Sequence, residues 1–420
     1  MSEAAIDQRL SQAGLPPLPR AAWLEVDLDA LAGNIAAMRE IVGPRVEIAA
    51  VVKADAYGHG LEQASRAFVE GGADRLCVAT LEEALVLRRY GITAPILVMF
   101  MVPAAAVAEA VAAGVELTAG DERATLALLA QWRDVQATGA ANGGTLGLHL
   151  EIETGLGRSG VASSRAAGLA QAILDTPRTR LAGVWSHLAS SEDAAASAAQ
   201  VASFDAAVET LRGAGIVVPP RAIAATGALF CATAPHYEIV RPGLASYGLL
   251  PADWAVAESA RAAAARLRPA LSLHCRAVRI DELPAGSGVG YGSHWRAERP
   301  SRLATLPVGY GDGYVRAYQA GAEALVRGRR VPLVGVVMMD VVVADVSAVP
   351  DVTLDDEFVL IGRQGEQEIG VHDLAHRRTT ISWEVLTSMA QRLPRVYHRA
   401  AVPMAVRTLV GEVLQEGTPR

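Results

Sequence analysis

From residue 21 to about residue 255, short β-branched apolar runs alternate with Ala/Leu/Glu-rich stretches of helical period. The runs Val46–Lys53, Arg75–Ala79, Pro95–Phe100, Val115–Thr118, Leu146–Glu153, Leu181–His187, Arg221–Ala225 and Ile239–Leu244 predict eight strands. Gly60–Glu70, Leu81–Arg89, Asp121–Gln136, Ser164–Leu174 and Ala194–Gly213 predict helices between them, and a first helix over Leu28–Ile41 is capped by Asp27 or Asp29. Eight βα units in roughly 230 residues fit an α/β fold of the (β/α)8 TIM-barrel type. A doubly wound sheet usually shows fewer repeats in that length.

The period then changes. Ala257–Leu267 is Ala/Arg-rich and predicts a helical connector. Beyond it, Ser272–Ile280, Leu303–Val308, Ala324–Val326, Val331–Val337, Val341–Val346 and Phe358–Ile361 predict strands separated by Pro/Gly/Asp turns. Helical patterning returns only near Asp373 and over Trp383–Arg392. This predicts an N-terminal extension over 1–20, a barrel over 21–266 and a mostly antiparallel C-terminal β domain over 267–415.

Composition narrows the function. The 420 residues are 51% hydrophobic and 20% charged, with a net charge of −7 and no Lys/Arg clusters, which disfavours a nucleic-acid partner. The longest apolar stretch, Ala94–Ala108, contains Pro95 and Pro103 and reads as a buried strand followed by a helix, not a membrane span. The N-terminal segment has early acids and no apolar h-region, so a cytoplasmic location is expected. Cys77, Cys231 and Cys275 are odd in number and far apart, so neither a disulfide framework nor a metal site is expected. Of the 38 basic residues one is lysine, Lys53, where average composition would supply roughly two dozen. Any side-chain amine chemistry therefore falls to Lys53.

In a parallel barrel the site lies at the C-terminal ends of the strands. Lys53 ends the first run and Arg158 follows the fifth. His187 ends the sixth, Thr226-Gly227 follows the seventh, and Arg241-Pro242-Gly243 lies in the eighth. Singly, each such residue is more simply a satisfied structural group, and their convergence on one rim is what points to a site. Burial favours the neutral, nucleophilic form of an amine, which suits Schiff-base chemistry. Glycines and small hydroxyls after the last two strands suit a phosphate. Together they suggest pyridoxal phosphate, with a Schiff-base aldolase as the other reading.

The segments VVKADAYGHG, ETGLGRSG, VRPGLASYGL, GVGYGSHW, LPVGYGDGY and VGVVMMD occur in the order and approximate spacing of the alanine racemases, fold-type III pyridoxal-phosphate enzymes. The chain resembles that family from about Trp23 to Tyr397. The resemblance implies interconversion of L- and D-alanine by two-base proton transfer on the external aldimine, in a head-to-tail homodimer with composite active sites. Lys53 resembles the cofactor-binding lysine and the base on the D-enantiomer. Tyr291 resembles the base on the L-enantiomer, supplied by the partner subunit. Two bases make chemical sense, because a single one tends to return the proton to the face it left. Arg241 resembles the arginine facing the pyridine nitrogen, with His187 behind it, and arginine keeps its proton in proteins. Tyr57, Thr226, Gly243 and Leu244 match phosphate-binding positions. Arg158, the backbone of Met339 and Tyr310 match substrate contacts, and Asp340 follows in the same motif. The cellular role implied is D-alanine supply.

Three positions depart from the family. Glu151 stands where a carbamylated lysine often orients the arginine, and alternation along its strand points His149, Glu151 and Glu153 toward the barrel axis. A Glu151–Arg158 ion pair is therefore expected. Trp383 replaces a tyrosine that contacts the phosphate, and Val336 an arginine of the access channel. These changes leave serine or another small amino acid as an alternative substrate. A fold-type III decarboxylase shares barrel and cofactor but not the pairing of the GVGYG tyrosine with a pyridine-facing arginine. A non-catalytic pyridoxal-phosphate carrier resembles the barrel alone.

Overall fold

In the computed structural model, eight parallel strands close into a barrel: Glu47–Val51, Arg75–Val78, Ile96–Val98, Glu116–Ala119, Leu146–Glu151, Thr179–Trp185, Arg221–Ala225 and Ile239–Arg241. Closure comes from Glu47 pairing with Ile239 and Ile48 with Val240. All eight predicted strands are present, and the barrel-type fold and the antiparallel sheet agree with the sequence reading. The structure describes residues 5–139, 143–319 and 321–415. Helices follow the strands and cover the outer face, so the fifth strand is buried along its whole length. Its sequence still alternates, with Leu146, Leu148 and Leu150 on one face and His149 and Glu151 on the other.

Local chemistry sets the helix starts. Thr80 and Glu83 form a reciprocal capping box ahead of Leu81–Arg89. Asp121 accepts from the Ala124 amide before Glu122–Ala137, and Asp193 from the Ala195 and Ala196 amides before Ala194–Gly213. At the opposite end of the barrel from the strand C-termini, Arg75 donates to Glu47 (3.0 Å) and Glu116 (2.5 Å), and His149 lies 2.7 Å from Glu116. Arg180 also pairs with Glu116. Burial alone would raise the Glu116 carboxyl, but these partners hold it well below the usual carboxylate range.

The chain divides into two units, the barrel unit of Ala30–Ala56 and Leu61–Pro269, and a sheet unit of the described residues up to Asp29, Tyr57–Gly60 and Ala270 onward. The sheet runs in the order Arg279–Leu283, Ser301–Leu306, Val342–Asp345, Arg329–Val334, Glu323–Val326, Glu357–Gln364, Leu271–Arg276, Ala22–Asp27, Arg395–Arg399, Val402–Thr408 and Gly411–Leu414, with Gln367–Ile369 beside Glu357–Gln364. Every pairing is antiparallel except Ala22–Asp27 with Arg395–Arg399.

Several elements differ from expectation. Ala22–Asp27 carries no alternation that marks it as a strand, yet it sits mid-sheet between Leu271–Arg276 and Arg395–Arg399. Residues 21–29, placed with the barrel by the sequence reading, therefore group with the sheet. Its partners lie far along the chain, beyond any local window. Ser272–Ile280 is split into two strands, the connector 257–267 holds only two short helical turns, and the last helix stops at Thr387. Asp29 lies inside its helix and accepts from the Ala400 amide at 2.6 Å. A short helix, Ile6–Gln12, packs Ile6 and Leu10 with Trp23, Val396 and Val406. No described helix is long and apolar enough to cross a membrane.

Candidate active site

Lys53 stands one residue past the first barrel strand, after Val52, and opens an unusual backbone turn. Ala54, Asp55, Ala56 and Tyr57 have φ between 50° and 56°. Left-handed backbone costs an L-residue about 1–2 kcal/mol, so four in succession need support. The Ala54 amide donates to Glu83 (2.7 Å) and the Ala56 amide to the Val52 carbonyl (2.9 Å). Asp55 accepts from the Leu61 amide (2.9 Å), tying the turn to the next helix. The Tyr247 hydroxyl donates to the Val51 carbonyl at 2.8 Å, fixing the end of the strand.

Burial, then the positive charge of Arg158, pushes the Lys53 amine below its ordinary pKa, with Glu83 opposing. Arg241 is buried; its Nη2 donates to the Ser186 carbonyl (2.6 Å) and lies 3.4 Å from His187 Nδ1. Its guanidinium sits 4.5 Å from the Trp185 ring centre. Burial lowers the Arg241 pKa to about 10, which leaves it charged at neutral pH. The His187 imidazole is pushed down to about 3 by burial and by Arg241, Arg158 and Lys53. A neutral imidazole can accept at Nδ1, which is the role Arg241 requires of it. Arg241 Nη1 is buried with no hydrogen-bond partner among the described residues.

Arg158 Nη2 lies 3.6 Å from Glu151 Oε1, and Ser159 Oγ donates to the same oxygen at 2.8 Å. The expected ion pair is present. Glu153 behaves differently from expectation, because the strand ends at Glu151. Its carboxylate turns into the following loop and accepts the Gly155 and Gly157 amides, which shapes the approach to Arg158. The Thr226 hydroxyl accepts from the Gly243 (3.0 Å) and Ala245 (3.4 Å) amides, leaving its own proton to donate. The Gly243 amide is thus already committed, and Leu244 opens the 3-10 turn Leu244–Tyr247. A Cβ on Gly227, in the short helix Thr226–Cys231, would meet Ser191 Oγ at 2.1 Å and the Ser191 backbone at 3.2 Å, so the two segments approach this closely on a glycine.

The barrel mouth therefore gathers Lys53, Glu151, Arg158, His187, Thr226, Arg241, Gly243 and Leu244. The remaining sequence-predicted positions belong to the sheet unit. Tyr57 is buried there, and burial drives its phenol well above the usual value. Tyr291 stands between two positive-φ glycines, Gly290 and Gly292, and is 77% exposed. The Tyr310 amide donates to the Met338 carbonyl (3.0 Å), and Met339 is exposed. Asp340 accepts from Arg392 at 2.8 Å. Arg392 also donates to the fully buried Asp312, which accepts from Arg20 as well. Val336 is buried and Trp383 half-buried. Sequence reasoning missed Ser159, Trp185, Glu83 and Phe100. Only Glu83 carried a signal, the capping-box spacing after Thr80.

Family models for the alanine racemase N-terminal and C-terminal domains match residues 26–251 and 270–397. The chain belongs to the alanine racemase family. Family membership makes it an isomerase. An alanine racemase of Desulfosudis oleivorans is 39% identical over 389 residues, covering 90% of this chain and 96% of the relative. The crystal structure of an alanine racemase from Bacillus anthracis with bound L-Ala-P superposes with a TM-score of 0.85 at 33% identity, covering 94% and 99% of the two chains. A histidine racemase from Leuconostoc mesenteroides subsp. sake is similar too, with a TM-score of 0.81 at 27% identity over 91% and 99%.

Proposed function

We propose that this chain interconverts L- and D-alanine with pyridoxal phosphate held on Lys53. The observation that carries the reading is Arg241 Nη1, a buried donor with no acceptor among the described residues, in the same barrel mouth as the chain's one lysine. A buried, unpaired charged donor is costly unless a bound molecule completes it. An unprotonated pyridine nitrogen is such an acceptor, and the Thr226 hydroxyl proton suits a phosphate oxygen. The donor set fits the cofactor. Lys53 would hold its aldehyde carbon, Arg241 its ring nitrogen, and Thr226 with Tyr57 and Leu244 its phosphate, Gly243 acting through the hydrogen bond that fixes Thr226.

The chemistry pyridoxal phosphate supplies when bound is acidification of the C–H bond beside the amino group. Arg158, steadied by Glu151 and Ser159, fixes the substrate carboxylate. Lys53, its basicity lowered by burial, exchanges the α-proton on one face at Nζ. Tyr291 Oη does so on the other. The exposure of Tyr291 on a glycine-flanked turn suits delivery into the barrel mouth of a partner subunit, so the working form is a homodimer. Tyr310 and the Met339 backbone contribute to the substrate end of that composite site. Neutral His187 keeps Arg241 oriented and its charge undiminished, and a charged arginine cannot protonate the ring.

The test incubates purified protein and pyridoxal phosphate with single enantiomers of alanine, serine and histidine and follows optical rotation. Loss of rotation for alanine is expected. Carbon dioxide release would replace the reading with a decarboxylase, and cofactor binding without exchange with a carrier.

A further inference from the structure

Phe100 lies outside every motif that marks the family resemblance. It follows the third barrel strand, and its amide donates to the Ala79 carbonyl at 3.4 Å. The residue is 40% exposed, although it comes from one of the most apolar runs of the chain. Lys53 Nζ lies 5.7 Å and Arg158 Cζ 5.5 Å from the ring centre, so one aromatic side chain serves both cations. Phe100 also lines a cavity of about 270 Å³ whose other walls include Leu81, Leu85 and Pro103 together with Thr80, Glu82 and Glu109.

These facts constrain where a substrate side chain can go. On the proposed reading, on which this inference rests, the substrate amine would go to the cofactor carbon held at Lys53, and its carboxylate to Arg158. Both groups hang on one α-carbon, so that carbon comes to lie beside the ring that contacts both cations. The cavity wall beyond mixes aliphatic side chains with Thr80, Glu82 and Glu109, and its aliphatic part is the kind of lining that accepts an aliphatic side chain.

We infer that Phe100 is a specificity-determining residue: its ring separates the reacting α-carbon from the adjoining cavity and confines the substrate to a small side chain. The ring meanwhile steadies Lys53 and Arg158, so its loss also weakens alanine binding. Shortening the side chain joins cavity and site into one space able to take a linear or γ-branched amino acid.

The experiment uses the full chain loaded with pyridoxal phosphate. Dissociation constants of alanine, norvaline and leucine are read from the absorbance of the bound cofactor, alongside kcat/KM for each. In Phe100→Ala, binding of norvaline and leucine relative to alanine should improve at least ~10-fold, the scale on which apolar pockets discriminate a methylene. Phe100→Leu should fall between Phe100→Ala and the unaltered protein, and it carries the test if the alanine variant fails to fold. Adding Ala106→Phe to Phe100→Ala refills the cavity and should restore the preference for alanine. An unchanged binding ratio in the Phe100 variants overturns the assignment, as does a gain that survives Ala106→Phe. Failure of the unaltered protein to turn over alanine sinks the reading of the reaction itself. Alanine turnover with an unchanged ratio sinks only the role of Phe100.

Discussion

Glu151 and Arg158 form an ion pair at the mouth of the barrel, 3.6 Å between Oε1 and Nη2, with Ser159 donating to the same carboxylate oxygen. Burial pushes the Glu151 carboxyl above its ordinary value, and Ser159, Arg158 and Arg241 offset this only in part. Protonation of Glu151 should loosen Arg158, so kcat/KM falls on the acid side at a pH above that of a free carboxylate. Glu151→Gln should raise KM several-fold with a smaller effect on kcat and should remove that acid limb. Gly120→Ala should act in the same direction, because a Cβ there meets Glu151 Oε2 at 2.7 Å. Initial rates from pH 5 to 9 decide it. An acid limb that persists in Glu151→Gln would assign the limb elsewhere.

Tyr291 and Lys53 are proposed as bases on opposite faces, so their variants should be asymmetric. Tyr291→Phe should slow α-proton exchange with solvent deuterium far more for L-alanine than for D-alanine, by about 10²-fold or more on the usual scale of general-base catalysis. Proton NMR of each enantiomer separately makes the comparison. Equal loss in both directions would count against two bases.

Lys53 is the only lysine. Borohydride treatment of the pyridoxal-phosphate-loaded protein should mark one internal peptide, the one containing Lys53. Lys53→Ala should abolish that label and the cofactor's visible absorbance. Peptide mass spectrometry reads the site directly.

His187 ties the site to stability. Burial, with Arg241, Arg158 and Lys53, depresses its pKa from 6.5 to about 3. Unfolded chains therefore bind this proton before folded ones do. The stability from keeping His187 neutral is full above pH ~6.5 and declines as pH falls toward 3, by up to about 1.4 kcal/mol per pH unit. Urea unfolding of the unaltered protein and of His187→Gln should diverge in slope across that window. Parallel pH profiles would show that the imidazole does not titrate on unfolding.

Glu25 anchors the N-terminal helix to the sheet. Arg9 donates to both of its carboxylate oxygens, and Trp23 Nε1 donates at 3.1 Å. Burial alone would raise the Glu25 pKa, but His274 and Arg9 bring it down to about 2. The stability this contributes is present above pH ~4.5 and lost as pH falls toward 2. Arg9→Ala leaves the charge buried without its main partner and should cost about 3 kcal/mol. Hydrogen exchange over residues 6–12 should accelerate more than in the barrel. Uniform acceleration would mean the helix is not a separable element.

Much of this molecule is legible in short stretches of chain. The eight barrel strands are apolar runs bounded by helix-forming segments, and both their number and their order survive in the structure. Lys53 stands out because no other amine competes with it, and Arg158, His187 and Arg241 because each follows or ends a strand. Ala22–Asp27 was not legible. A six-residue segment carrying Glu25 and Asp27 becomes a central strand only because Leu271–Arg276 and Arg395–Arg399 arrive on either side of it. Phe100 was hidden for the opposite reason: a phenylalanine in an apolar run reads as core, and only the closed barrel shows the residue half open beside two cations. Glu153 was misread because alternation was carried past the point where the strand stops.

Hydrophobic period, turn chemistry and residue type were enough to establish the strand count, the barrel and the one amine able to form an imine, because each depends on neighbours a few residues away. Closure of the barrel decided which charges lose water. It strips Arg241 of solvent and half-buries His187, leaves Arg241 Nη1 without an acceptor among the described residues, and sets Glu151 against Arg158. Those outcomes depend on desolvation and on distances of a few ångströms between strands far apart in sequence, which no local pattern encodes.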